Sequence, residues 1–488
     1  FEDTVFSMHC PNCGCKVPRN AADPMQSARN TPVYFGDRIL VLKYLYLIHP
    51  ARRWDVVVFK SPYESRSDFT VNYIKRLVGL PGETLMLLDG DVYTTSDTGG
   101  NFADRRWTVQ TKPRHVQDAL WRVVYDNDFY PANPARRGWT FPWKQTAGGG
   151  WNTATPAGPG RTLSFDNPSA SGVLSFDADA NPGTFPLTDW LAYDETKPIP
   201  VSESEVLPHG DFYDLNTYAD DRVARWNVSD LKVQFVYQRT AGPGPLRIRL
   251  TKLGHEFTAE IAPQCATVYH TPPAGTPQLI GTAPLDGRAA GKPLFIEFSN
   301  VDYRVTLRIN DDDLIQSTPA QYAPEVKQLL TLYDKMDKLR IARASAAEVR
   351  DVFPRATVQI AAEKQVMQLT HLSLWRDVYY TPYYHDGFFS PLTNGSPDHP
   401  VQLSPGGGDS QREYFVLGDN SIMSGDARAW RNSVNLRANE DLEVEPGRVP
   451  DRFLLGKAFF VYWPAGYRPV SANAPGIVPN FGSMRFIH

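Results

Sequence analysis

The stretch of residues 73–83, Tyr-Ile-Lys-Arg-Leu-Val-Gly-Leu-Pro-Gly-Glu, constrains the fold most strongly. It places two basic residues inside an otherwise apolar strand pattern and ends in a sharp Gly-Leu-Pro-Gly turn. Side chains alternate between the two faces of a strand, so Tyr73 and Lys75 share one face while Ile74 and Arg76 share the other. If either face packs on a core, a basic side chain points inward. A solvated edge strand is the alternative that this segment leaves open.

Composition limits the classes of protein that the chain can form. Its 488 residues correspond to about three domains, and a hydrophobic content of 42% is enough to build their cores. A net charge of -4 argues against nucleic acid as a partner. Apolar runs such as 56–59 and 458–463 are far shorter than the roughly 18 residues of a membrane span. Because the chain begins at Phe1 rather than methionine, we expect a signal or membrane anchor to precede it.

Three of the four cysteines are crowded into residues 9–15. Cys10 and Cys13 form a C-x2-C knuckle, which supplies half of a tetrahedral zinc site. Cys15, His9 or the distant Cys265 could complete the site, but no second C-x2-C follows. A zinc ion, a disulfide and free thiols all stay open.

The first 115 residues predict a compact antiparallel β unit. Strands are predicted at 39–41, 54–60 and 71–78. A hairpin is predicted at 84–93, because Asp89-Gly90 tolerates the positive φ angles of a tight turn. The periodicity of 115–125 predicts a short helix after this unit.

Residues 116–385 predict an inserted β-sandwich, because short strands alternate there with turn signals at the spacing of such folds. The hairpin pattern at 295–307 resembles that of concanavalin-like or laminin-G-like sandwiches. A helix is predicted at about 324–352, beginning with proline in its first turn and ending before Pro354. Residues 386–488 then complete the first unit with strands at 414–417 and 455–463.

Four stretches resemble, in order, the characteristic boxes of the type I signal peptidases. They are Gly36-Asp37 with 39–41, residues 54–59, residues 73–82, and Gly418-Asp419-Asn420-Ser421 with Ser424, Asp426 and Arg428. The resemblance covers roughly 30–95 and 410–465. The cysteine knuckle and Arg53-Trp54-Asp55 resemble the planctomycete-type branch of the family. The implied fold is mainly β: a signal-peptidase-like antiparallel catalytic unit interrupted by the sandwich, which carries one long helix.

The resemblance implies a Ser/Lys dyad that needs no cofactor. Lys75 would be the general base, which must be neutral near pH 7, and burial among apolar neighbours lowers a lysine pKa in the required direction. Ser424 matches the hydroxyl that orients the lysine amine. Asp426 and Arg428 match a structural pair, for which a solvated ion pair is the alternative. Gly418, Asp419 and Asn420 match the supporting turn.

The nucleophile is where the sequence departs from the family. The expected Ser-Met-x-Pro-Thr box is absent, and Ser7-Met8 is a weak candidate because His9-Cys10 follow it. Ser483-Met484 is a weaker one. We therefore expect the serine box and the membrane anchor to lie upstream of Phe1, which leaves this chain with the base and without its nucleophile.

The resemblance implies the extracytoplasmic portion of an endopeptidase that removes signal peptides from exported preproteins. Its expected location is the cell envelope, at the periplasmic face of the cytoplasmic membrane. The substrate would add beside the strand leading to Lys75, at Thr70, Asn72 and Tyr73. The alternative is a catalytically inactive structural module, or one that binds glycans or proteins through the inserted sandwich.

Overall fold

The chain folds into two mainly β units in a computed structural model. The structure describes residues 36–61, 71–131, 139–153, 162–181, 186–189, 226–285, 291–341, 352–381, 394–408, 410–421, 424–430, 443–464 and 481–488, with the short pieces 8–9, 16–17, 348, 383–384, 390–391 and 434–435. The sandwich unit comprises Phe1–Arg19 and Trp121–Asp377, and the flanking unit comprises Asn20–Leu120 and Val378–His488.

The described residues form three α-helices and a series of β-strands, which range from two to 19 residues in length. The helices are α1 (Leu45–Ile48), α2 (Arg114–Leu120) and α3 (Val326–Ile341). In chain order the strands are β1 (Met8–His9), β2 (Lys16–Val17), β3 (Arg38–Leu42), β4 (Val56–Lys60), β5 (Asn72–Gly79), β6 (Thr84–Leu88), β7 (Asp91–Thr95), β8 (Thr108–Val109), β9 (Arg122–Asp126), β10 (Trp143–Gly148), β11 (Trp151–Asn152), β12 (Leu163–Phe176), β13 (Leu231–Ala241), β14 (Leu246–Lys252), β15 (His255–Ile261), β16 (Cys265–Thr271), β17 (Gln278–Pro284), β18 (Leu294–Val301), β19 (Arg304–Ile309), β20 (Asp312–Gln316), β21 (Val358–Arg376), β22 (Tyr383–Tyr384), β23 (Ser390–Pro391), β24 (Val401–Gln402), β25 (Pro405–Gly407), β26 (Ser410–Leu417), β27 (Val434–Asn435), β28 (Glu443–Val444), β29 (Val449–Pro450), β30 (Leu454–Trp463) and β31 (Arg485–Phe486).

The flanking unit is built on two sheets. The larger sheet has the order β25-β26-β5-β4-β30-β3, with β29 paired to β26 and β31 to β30, and the smaller has the order β24-β6-β7-β8. Its apolar core includes Val57, Phe59, Leu77, Phe415 and Trp430. Residues from both ends of the sequence therefore share one core.

The predicted hairpin in the flanking unit is confirmed. β6 and β7 pair in the register Leu88↔Asp91, so only two residues connect them. Asp89 and Gly90 both have positive φ, at 53° and 82°. These angles fit a type I′ turn, whose twist matches that of the two strands.

The sandwich unit is organised around β21. The first part of this strand pairs with β14, in the register Ile360↔Ile248, and the second part pairs with β13, in the register Leu374↔Val233. Lys364, between the two parts, has a φ of 45°. The structure therefore confirms the predicted β-sandwich, and β21 contributes to both of its faces.

The helix predicted at 324–352 is present as α3, which begins within two residues of the predicted start and ends at Ile341. Residues 342–347 and 349–351 lie outside the described part of the chain. Buried Leu329, Tyr333 and Met336 follow one stripe of the helix, and the Tyr333 ring stacks on Trp226 with 5.9 Å between centroids. Helical periodicity in this segment therefore reflects packing on the sandwich unit.

The units divide at Leu120/Trp121 and Asp377/Val378, whereas the sequence placed the insertion at 116–385. The helix predicted for 115–125 is wrong beyond Leu120. Residues 122–126 instead form β9, which pairs with the end of β21. The division also assigns Phe1–Arg19 to the sandwich unit, whereas the sequence placed these residues with the first 115.

Candidate functional site

The pairing of β5 with β26 positions the candidate base beside the loop that follows β26. Leu417 lies opposite Arg76, so residue 418 begins a turn next to Lys75. On the other side, β4 places Val57 opposite Lys75. Lys75 is half-buried and Arg76 is buried, so both basic residues of the strand point into structure rather than into solvent.

The structure brings Lys75 and Ser424 into direct contact. Lys75 Nζ donates a hydrogen bond to Ser424 Oγ over 2.9 Å. A Cβ at Gly418 would overlap the Ser424 side chain and would lie 3.5 Å from Lys75 Nζ. Glycine is therefore required at position 418, because any larger residue would displace the serine from the lysine.

Electrostatics at Lys75 favour the neutral amine. Burial is the main cause that lowers the pKa of Lys75 from its usual value, and the positive charge of Arg428 lowers it further. The carboxylates of Asp426 and Asp419 act in the opposite direction. The net effect is a lysine that loses its proton more easily than an exposed one.

Asp426 and Arg428 form a fully buried ion pair, so the alternative of a solvated pair does not hold. Arg428 Nη2 donates to Asp426 Oδ2 over 2.7 Å and Nε donates to Asp426 Oδ1 over 2.9 Å. Both side chains are 0% exposed. Asp426 Oδ2 also accepts a hydrogen bond from the Gly418 backbone N–H over 2.9 Å. The pair therefore fixes the glycine that packs against Ser424.

A second ion pair anchors the start of the same loop. Arg76 donates through Nε and Nη2 to the two carboxylate oxygens of Asp419, over 2.8 and 2.9 Å. Its Nη1 donates to the backbone oxygen of Trp54, which has a φ of 75°. The sequence interpretation identified Asp419 but not its partner Arg76 or the strained Trp54. The sequence signal for Arg76 was an arginine in an apolar strand pattern, directly beside Lys75.

Asn420 and Ser421 continue this loop. Asn420 is half-buried, and Ser421 is 5% exposed. Ser421 Oγ accepts from Arg428 Nη1 over 2.9 Å and from the Thr381 backbone N–H over 3.0 Å. No sequence signal marks Thr381, because nothing near it resembles a motif.

Several predicted site residues lie outside the described part of the chain. They are Ser7, Thr70, Cys10, Cys13 and Cys15. The cysteine knuckle is flanked by β1 and β2, which pair in the register His9↔Lys16. Of the predicted substrate strand, Asn72 is exposed and Tyr73 is half-buried, with its ring centroid 5.9 Å from Lys75 Nζ.

Buried carboxylates that could hold a cation occur in the sandwich unit. Oxygens of Asp230, Asp302 and Asp377 lie within 4.8 Å of one another. Lys252 Nζ donates to Asp230 Oδ1 over 2.6 Å, and the Asp302 backbone N–H donates to Asp230 Oδ2 over 2.9 Å. Buried Lys252 therefore offsets part of the negative charge of this cluster.

The chain contains a signal-peptidase-like region. Residues 18–119 match the family described as Signal peptidase, peptidase S26. This region includes Lys75 and ends before the 418–428 loop. Similar curated proteins include the Signal peptidase I of Rickettsia massiliae, Rickettsia typhi and Rickettsia prowazekii, each 39% identical over 64 residues. The alignment covers 13% of this chain and 23% of each relative, so the chain spans about a quarter of their length.

Solved structures similar to the chain include two β proteins from Bacillus subtilis. The carbohydrate binding module CBM66 aligns at 7% identity and a TM-score of 0.25, covering 48% of this chain and 94% of the module. A protein with a galectin-like fold aligns at 8% identity and a TM-score of 0.28, covering 52% and 97%. Separately, no helix among the described residues has the length and apolarity needed to span a membrane.

Proposed function

We propose that the flanking unit is the catalytic part of a signal-peptidase-like endopeptidase in which Lys75 is the general base. The observation that carries the proposal is the hydrogen bond from Lys75 Nζ to Ser424 Oγ, in a site that lowers the pKa of this lysine. A neutral amine held in one orientation is what a serine nucleophile needs for activation. The signal-peptidase-like region around Lys75 supports the same reaction class.

In the proposed reaction, neutral Lys75 Nζ takes the proton of a serine hydroxyl as its oxygen attacks the scissile carbonyl. The C–N bond then breaks, and the lysine returns the proton to the leaving amine, which leaves an ester on the serine. A water molecule, deprotonated by Lys75, hydrolyses that ester and restores the enzyme. Ser424 would hold the amine on its path without being acylated. No serine among the described residues is assigned as the nucleophile.

The proposed substrates are signal-peptide-bearing preproteins, which the protein would bind at the periplasmic face of the cytoplasmic membrane. The pairing of β5 with β26 begins at Arg76, so within the described residues Asn72–Lys75 pairs with β4 alone. An extended peptide could add to the opposite edge by main-chain hydrogen bonds. This arrangement supports Asn72 and Tyr73 as part of the strand that binds substrate, while Thr70 lies outside the described residues.

The test is cleavage of a peptide with an Ala-x-Ala site by the full gene product. The account predicts cleavage after the second alanine and its loss in Lys75→Ala. Lys43→Ala, an exposed lysine of the flanking unit, is the matched control and should leave the rate unchanged. Equal rates in Lys75→Ala and the wild type would overturn the assignment. Absence of cleavage in both would favour the alternative of an inactive structural or binding module.

A further inference from the structure

Residues 378–381, which follow the sandwich unit and are called the return segment below, are hydrogen-bonded to the 418–428 loop that contains Ser424. Val378 begins this segment, and Thr381, three residues later, is 1% exposed. The Thr381 N–H donates to Ser421 Oγ over 3.0 Å, and the Thr381 carbonyl accepts from Arg428 Nη1 over 2.6 Å. Both backbone groups of one residue are therefore used to hold the loop.

Ser421 and Arg428 complete a closed network with Thr381. Arg428 Nη1 donates to Ser421 Oγ over 2.9 Å, and its Nη2 donates to the Ser421 carbonyl over 2.7 Å. All three residues are buried, so water competes little for these hydrogen bonds. The Ser421 hydroxyl is the shared element, since it accepts from both partners.

The network continues to Lys75 through four further contacts. Arg428 also binds Asp426, whose carboxylate accepts from the Gly418 N–H. Gly418 packs against Ser424, the acceptor of the Lys75 hydrogen bond. A shift of Ser421 would therefore move Arg428, then Asp426 and Gly418, and finally the serine that orients the lysine.

The return segment is also fixed on its other side. The Tyr380 N–H donates to the Gly90 carbonyl over 3.1 Å, and the Tyr379 ring packs against Gly90, where a Cβ would overlap it. Gly90 lies in the tight turn between β6 and β7. The segment is thus anchored to a rigid hairpin while it holds the loop.

We propose that Thr381 and Ser421 are positioning residues that hold the 418–428 loop in place. The order of residues 378–381 then determines the environment of Lys75. The proposal deepens the proposed function and rests on Lys75 as the base. It gives residues 378–381 a route by which a change in their order reaches Ser424 and Lys75. A merely structural role for Ser421 would leave Lys75 unaffected.

The experiment is Ser421→Ala, with the reactivity of Lys75 measured by labelling the full chain with an amine-reactive reagent from pH 6 to pH 11, read by mass spectrometry. Loss of the hydroxyl should loosen the loop, hydrate Lys75 and raise its pKa towards the usual value. Half a unit of increase lowers the neutral fraction, and the labelling rate below the pKa, about threefold. Hydrogen exchange of the Gly418 amide should also become faster.

The matched control is Ser396→Ala, which removes another buried hydroxyl of the flanking unit that accepts a backbone N–H. It should leave the labelling profile of Lys75 unchanged. An unchanged profile in Ser421→Ala would overturn the proposal, whatever the loss of thermal stability. If Ser421→Ala does not fold, Ser421→Cys, close in size and a weaker acceptor, is measured in its place. Labelling needs no peptidase activity. A shifted profile in an inactive protein would therefore refute the proposed function but still support Thr381 and Ser421 as positioning residues.

Discussion

Lys75 Nζ lies 2.9 Å from Ser424 Oγ, although 349 positions of sequence separate the two residues. The register of β5 against β26 brings the two side chains together, because Leu417 lies opposite Arg76 and the turn that follows Leu417 lies beside Lys75. The buried Asp426–Arg428 pair and Gly418 then hold the serine at the amine. The site is therefore assembled by sheet pairing and kept in place by a buried network.

Lys75→Met should change how stability depends on pH. The native state lowers the pKa of Lys75, so between that pKa and about 10.4 the unfolded chain binds more protons than the native chain. Wild-type stability should therefore rise with pH across this window, and the slope should be smaller in Lys75→Met. Urea unfolding at several pH values measures it. Parallel curves for the two proteins would contradict the lowered pKa.

Asp426→Ala should destabilise the flanking unit strongly. It leaves the Arg428 guanidinium buried without its carboxylate, which costs about 3 kcal/mol. The measurement is the free energy of unfolding in denaturant. Asp334→Ala, which removes the exposed partner of Lys338 on α3, should change stability little. Equal small effects from both substitutions would contradict a buried Asp426–Arg428 pair.

Gly418→Ala should disturb the contact between Lys75 and Ser424 more than it destabilises the fold. Its methyl group would meet the Ser424 side chain beside Lys75 Nζ, so the serine must move away from the amine. We expect a loss of peptide cleavage of at least tenfold, on the order of 1.4 kcal/mol in transition-state stabilisation. Gly99→Ala is the matched control, because a Cβ there meets nothing within 4 Å. Full activity in Gly418→Ala would argue against Ser424 as the orienting group.

The sandwich unit should lose stability in acid through a pair of histidines. His255 Nδ1 lies 2.8 Å from His270 Nε2, and Lys252 and the Tyr322 ring face the same pair. Burial, then His270 and Lys252, lower the pKa of His255 to about 4. The unfolded chain therefore takes up more protons as pH falls from about 6.5 to 4, which favours unfolding.

His255→Phe tests this acid sensitivity. The substitution removes the titrating group, so the urea midpoint of the sandwich unit should fall less between pH 7 and pH 4.5 than in the wild type. His115→Gln, at an exposed histidine on α2, should keep the wild-type dependence. An equal fall of the midpoint in His255→Phe and the wild type would contradict the assignment.

The elements that the sequence predicted are those with a strong local signal. The 84–93 hairpin follows from Asp89-Gly90, and the start of α3 follows from proline and a helical stripe. The 14-residue β12 was missed because Pro168 interrupts its pattern. The structure accommodates that residue where the register shifts between Asn167 and Ser171. At 122–126, Val123 and Val124 fit both the helical and the strand periodicity. These residues form a strand because they pair with β21.

The site was predictable only where a motif marks it. Lys75, Asp426 and Arg428 stand in recognisable boxes, and the structure brings them together with Ser424. Thr381 contributes only backbone atoms, which any residue except proline carries, so its identity holds no information about its contacts. Long-range backbone contacts of this kind depend on the complete fold.

The measurement that tests the central claim most directly is the pH dependence of Ala-x-Ala peptide cleavage by the full gene product, compared with the labelling titration of Lys75. If neutral Lys75 is the base, kcat/KM rises with pH with an apparent pKa equal to the labelling pKa of Lys75, and that pKa lies below its usual value of about 10.4. The base assignment would be contradicted by a Lys75 that titrates at the usual value, or by cleavage that keeps its pH profile in Lys75→Ala.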